Sequence, residues 1–145
     1  MGLLHTYFVA ESDERAAGAV EHGPEQSGFD AVDLPDVDPI IVLATVEAEL
    51  RGEDEESVED GPRFATVIGD TGRSWVYTVT DELQRAVAAA TPARLAEVAA
   101  AVADEDDDDD PEFAVNALAG LLGDLGELSR RAIAGNQRVY AWVGL

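Results

Sequence analysis

Cysteine is absent from the 145-residue chain, which excludes disulfides, thiolate catalysis and cysteine-based zinc sites. Lysine is absent too, so nine arginines alone stand against 31 acids and the net charge is −22. Histidine is scarce. Only His5 and His22 could serve as imidazole bases, and neither falls in a nucleophile or metal-ligand spacing such as His-Glu-x-x-His or Gly-x-Ser-x-Gly. No apolar run is long enough to span a bilayer, and the opening MGLLHTYFVAESDE lacks a basic segment, so a cytoplasmic location without membrane attachment is expected. Gly2 to Thr6 fits a loose myristoylation pattern, but Leu3, Leu4, Tyr7 and Phe8 read better as a strand.

What is abundant is acid. Six acids fall in Glu53–Asp60 and seven in Asp104–Asp110, and the remainder of the chain is acidic as well. Such a surface repels phosphate backbones and anionic lipids, which argues against nucleic acid and favours a basic protein partner; the same charge also keeps a protein soluble. The Asp run is not a calcium loop. Counted from Asp106, the sixth and twelfth places hold Pro111 and Ala117 where an EF-hand needs glycine and glutamate. No metal or cofactor is expected, and Asp104–Asp109 reads as a solvated spacer.

Apolar residues led by Ala, Val and Leu are spread through the chain, as in a folded domain. Leu3–Val9 reads as a buried strand, and Ser12 as the cap of a helix running toward Gly23-Pro24. Phe29–Leu34 reads as a short strand. Asp38-Pro39 opens and Gly52 closes a helix over PIIVLATVEAELR. Arg63–Ile68 and Arg73–Val79 flank Gly69-Asp-Thr-Gly72 as a β-hairpin. Thr80, Thr91-Pro92 and Asp110-Pro111 each start a helix. The last of these carries an apolar stripe of Ala114, Ala117, Leu118, Leu121, Leu125, Leu128 and Ala132, and Gly135 ends it. Gln137–Val143 is a closing strand. The expected fold is a single α+β domain over 1–145. It has a mixed sheet of about five strands with a central β-hairpin, about five helices, and acidic loops at 53–62 and 104–110.

Gly120-Leu-Leu-Gly-Asp-Leu-Gly126 has glycines in the manner of a phosphate loop, but it lacks the Lys-Ser/Thr that must follow and sits inside a helical pattern. Two acid–base candidates remain. Glu47 falls at the edge of an apolar stripe, where it either acts as a buried acid or base or pairs with an arginine; His5 lies in the first strand as a catalyst or a structural ring. Strand parity puts Arg73, Trp75 and Tyr77 on one side and Arg138, Tyr140 and Trp142 on one side. If those strands are neighbours, the residues make one Arg–aromatic face suited to binding; otherwise the rings fill the space under the helices.

The order of elements resembles that of the YfbM-like family of uncharacterised bacterial proteins. The resemblance is carried by Met1-Gly2 with its short strand and by the capped helix after Ser12. The helix closing in Leu50-Arg51-Gly52, Tyr77 ahead of a helix, and the last helix and strand around Gly135 and Tyr140 complete it. It implies a fold more than an activity. The functional expectation is a non-enzymatic, inhibitor- or immunity-like module that binds a basic protein partner. The alternative is a small-ligand binder or enzyme using the Arg–aromatic face, and nothing in the chain sets the oligomeric state.

Overall fold

The computed structural model describes residues 4–35, 37–103 and 111–144. In chain order these form β1 (Leu4–Ala10), α1 (Asp13–Ala17), β2 (Ala31–Asp33), α2 (Ile41–Arg51), α3 (Glu55–Glu59), β3 (Val67–Asp70), β4 (Ser74–Thr78), α4 (Asp81–Ala89), α5 (Pro92–Ala103), α6 (Pro111–Ala134) and β5 (Arg138–Gly144). The α+β class, the five strands and the hairpin are as expected. The spacer reading of Asp104–Asp109, the cap at Asp110 and the pattern at Gly2 lie outside the described residues.

The helix starts follow side-chain chemistry. Ser12 accepts from the Arg15 N–H at 3.2 Å, Thr80 from Leu83 at 3.0 Å and Thr91 from Arg94 at 3.1 Å, each satisfying a donor that the first helical turn leaves free. Asp38 Oδ1 accepts from both the Ile40 and Ile41 N–H groups at 2.7 Å, which holds Pro39 and Ile40 in a turn, so α2 begins at Ile41, two residues later than the expected start at Pro39. Gly52 ends it in the left-handed region at φ 68°, where a side chain would be strained. Helix α1 stops at Ala17, well short of Gly23. Its continuation turns inward because the Val20 carbonyl accepts from Ser74 Oγ at 2.6 Å and from the Trp142 indole at 3.0 Å.

One acidic segment differs from expectation. The 53–62 loop carries α3, capped by Asp54, which accepts from the Ser57 N–H at 2.8 Å, with Glu55 and Glu56 in its first turn. Val58, the lone apolar residue there, is 1% exposed and fastens the helix, which packs on α2.

The sheet runs β2-β1-β5-β4-β3, and all its pairings are antiparallel where a mixed sheet was expected. Each chain return reaches its neighbour from the opposite end, so no parallel crossover forms. The hairpin, central in the chain, lies at one edge of the sheet. One face carries Tyr7, Val9, Val139 and Ala141 into a core shared with α2, α4, α5 and α6. The other carries Phe8, Ala10, Val76 and Tyr140, covered by Ala16 and Ala19. The sheet is thus wet on neither face along its centre.

The buried face of α6 runs through Leu122, Leu125, Leu128, Ser129 and Ala132, while Ala117 of the expected stripe is exposed. Adjacent Leu121 and Leu122 permit either stripe, and Gly126 selects between them. A Cβ there would stand 3.1 Å from the Val87 carbonyl of α4, so the two helices approach where a side chain is missing.

Candidate functional site

Register assigns every strand residue to a face, and it splits the expected Arg–aromatic surface. Trp75 pairs with Val143 and Tyr77 with Ala141, whereas Tyr140 pairs with Thr78 and Trp142 with Val76. Directly paired residues share a face. Trp75 and Tyr77 therefore point to the helix-covered side with His5 and Tyr7, and Tyr140 and Trp142 point to the α1 side with Thr6 and Phe8. The single binding face of Arg73, Trp75, Tyr77, Arg138, Tyr140 and Trp142 does not form. Parity within each strand is right; the phase between β4 and β5 is one residue off.

On the α1 side the rings are structural. Tyr140 is fully buried and donates its hydroxyl to Asp13 Oδ1 at 2.6 Å, and Asp13 is held by the Arg63 guanidinium through two bonds of 2.8 and 3.0 Å. Arg63 stands 5.9 Å over the Tyr140 ring, on a backbone at φ 70° whose carbonyl accepts from Thr78 Oγ1 at 2.5 Å. The Arg63 hydrogen bond above all holds the Asp13 carboxyl below its ordinary value, against the cost of desolvation. Burial, reinforced by the bond to Asp13, pushes the Tyr140 phenol up to about 12. The Asp13 shift favours its anion and the Tyr140 shift its neutral phenol, so neither group changes charge near pH 7, which suits a rigid strut and not proton transfer. Because the folded Asp13 pKa is depressed, its contribution to stability is present above the unfolded value of about 3.9 and is lost as pH falls through the folded value. Acid denaturation of Asp13→Asn should accordingly lack part of the stability that the wild type loses below about pH 4, a difference urea melts at pH 3 and pH 7 would read.

The remaining arginines are mostly engaged. Arg138 pairs with Asp81 at 3.1 Å and Arg131 with Asp30 at 2.8 Å, while Arg94 and Arg130 donate to the Glu49 and Ala88 carbonyls. Arg73 is exposed in the β3–β4 turn. Glu47 is 1% exposed, as a buried acid would be, but both its oxygens are occupied: Oε2 accepts from Arg51 Nη1 at 2.7 Å and Oε1 from Thr80 Oγ1 at 2.5 Å. Beside it is a gap of only about 10 Å³, which leaves no room for a substrate. His5 stands in the β1 row next to Val143, with both ring nitrogens buried and without a hydrogen-bond partner among the described residues.

Of the hollows that border the sheet, two touch its aromatic rings. One, of about 420 Å³, lies between β1 and the segment after α1 and is lined by Thr6, His22, Pro24, Glu25, Asp33 and Trp142; its Asp33 already accepts from Thr6 Oγ1 at 2.9 Å. It is not legible in the sequence because its walls come from segments as distant in the chain as Thr6 and Trp142. The other, of about 200 Å³, lies under the Asp38–Ile40 turn against Trp75, Tyr77 and Val143. Among the described residues no group of three or more His, Asp or Glu side chains is arranged to hold a metal, and no helix is long and apolar enough to cross a membrane.

On the outer surface, Glu55, Glu56, Glu59 and Asp60 are all exposed on or beside α3, and none forms an ion pair with a described residue. Glu55 accepts from Thr45, which links α3 to α2 through a second contact besides Val58. No family model matches the chain, and no curated protein or solved structure matches it either.

Proposed function

We propose that the chain is a cytoplasmic, non-enzymatic interaction module, inhibitor- or immunity-like, that binds a basic protein partner through its acidic surface. The observation that carries this reading is the order of α3. Carboxylates mobile on a loop steer a partner but do not match it; carboxylates on a capped and anchored helix stand at fixed spacing. Asp54 and Val58 give α3 that fixity, and none of its exposed carboxylates forms an ion pair with a described arginine. The alternative, a ligand site on an Arg–aromatic face, loses its support because the face is divided between two sides of the sheet.

The immobilised chain, challenged with a lysate, should retain a basic protein at low ionic strength and release it progressively as salt shortens the screening length to about 10 Å at 0.1 M. Retention of nothing, or retention that ignores salt, would refute the reading.

A further inference from the structure

The cleft beneath the Asp38–Ile40 turn has a composition that the core does not need. Its floor is two half-buried aromatic rings, Trp75 and Tyr77, beside Val143, and its lip is Pro39 and Ile40. Ile40 is 43% exposed and the adjoining Ile41 73%, so the apolar surface continues outward from the mouth. Among the described residues the single charged side chain in the lining is Asp38. Its Oδ1 is used by the two N–H groups that start α2, and Oδ2 has no hydrogen bond among the described residues. The carboxylate is close enough to these rings that its charge adds to burial in raising the Tyr77 phenol, as Asp70 does from the hairpin.

Aromatic faces present negative quadrupole potential, and a carboxylate beside them in a partly desolvated recess repels anions and attracts cations. No arginine lines the cleft to fill that role from within. The flat wall favours a planar, weakly hydrated cation over a compact ammonium, which is the distinction between arginine and lysine. With a net charge of −22 around it, the recess also lies in a field that draws such a group in.

We propose that this cleft receives the guanidinium of an arginine presented by the basic partner, stacked on Trp75 and Tyr77 and hydrogen-bonded to the free oxygen of Asp38. The inference rests on the partner reading above and makes the cleft the point of anchoring, with the acidic helix α3 as the steering surface. Arginine and aromatic residues dominate binding energy at protein interfaces because a desolvated pocket strengthens their contact, whereas exposed charges act mainly on encounter.

The test uses the full chain labelled with ¹⁵N, with the indole resonance of Trp142 as an internal reference and that of Trp75 as the reporter. Titration with acetyl-arginine methylamide should move the Trp75 resonance saturably. The citrulline counterpart, equal in shape but neutral, should bind about tenfold more weakly. Asp38→Asn keeps the helix cap, since asparagine caps as well as aspartate, and should weaken the arginine probe several-fold with the fold intact. An equal response to citrulline, or no response to arginine, overturns the proposal. If a basic protein is retained in a salt-sensitive way while Trp75 ignores the probe, the cleft inference fails and the partner reading stands; if the probe binds and no basic protein is retained, the partner reading is what fails.

Discussion

Arg51→Met is expected to destabilise the protein by about 3 kcal/mol, more than Glu47→Gln does. The asymmetry follows from burial. The Glu47 side chain is 2% exposed and the Arg51 side chain 29%, so removing the arginine strands a charge in the core, while removing the carboxylate leaves an arginine that turns to solvent and to Glu53 at 3.1 Å. Thr80 continues to donate to Glu47 in the arginine variant, which keeps the loss at the lower end of the range for broken buried pairs. The double variant, Glu47→Gln with Arg51→Met, should recover part of the loss because no unpaired charge remains. Chemical denaturation of the four proteins reads the cycle. An Arg51→Met variant as stable as the wild type would mean that the pair is not what keeps Glu47 in the core, and would reopen its role as an acid or base.

Gly144→Ala should cost about 2 kcal/mol and change the emission of Trp142. A Cβ at position 144 would lie under 3.0 Å from three carbons of the Trp142 ring. The ring has little freedom to give way. Its indole N–H is bound to the Val20 carbonyl at 3.0 Å, and Gly23, at φ 89°, also borders the ring, with a Cβ position 3.8 Å away. The added methyl therefore forces either the indole off Val20 or the end of β5 away from β1, and both undo the cover over the α1 face. A variant with unchanged stability and emission would mean the indole has another place to go.

These two residues also mark where sequence reading succeeds and stops. Helical spacing alone places Glu47 at the edge of an apolar stripe, and it leaves pairing with an arginine as one of two roles open to it. The caps at Ser12, Asp38, Thr80 and Thr91 were legible because a capping side chain acts within three residues of itself. Alternation within a strand is local and groups each tryptophan with its own strand's neighbours, whereas whether Trp75 and Trp142 share a face is set by the register between strands. A shift of one residue between β4 and β5 exchanges the two faces, and nothing in either segment fixes that shift. Gly144 is a signal within the sequence: a glycine two residues after a tryptophan, on the same side of the strand, is room for the ring. Helix α3 was hidden by its own charge. Asp54 with Glu55 and Glu56 has the form of a helix start, and Val58 one turn later is the buried contact, but six acids in eight residues look like a solvated loop.

The central claim is that the fixed carboxylates of α3 face a basic partner, and it can be tested without disturbing the fold. Glu56→Gln, Glu59→Gln and Asp60→Asn together remove three charges from exposed positions while Asp54 still caps the helix, Glu55 still accepts from Thr45 and Val58 still anchors it. The decisive measurement is the association rate of this variant with the retained basic protein as a function of salt, beside its thermal melt. The account predicts an unchanged melt, association slower by about tenfold or more at low salt, and a flattened salt dependence. Association indistinguishable from the wild type at every salt concentration would contradict it.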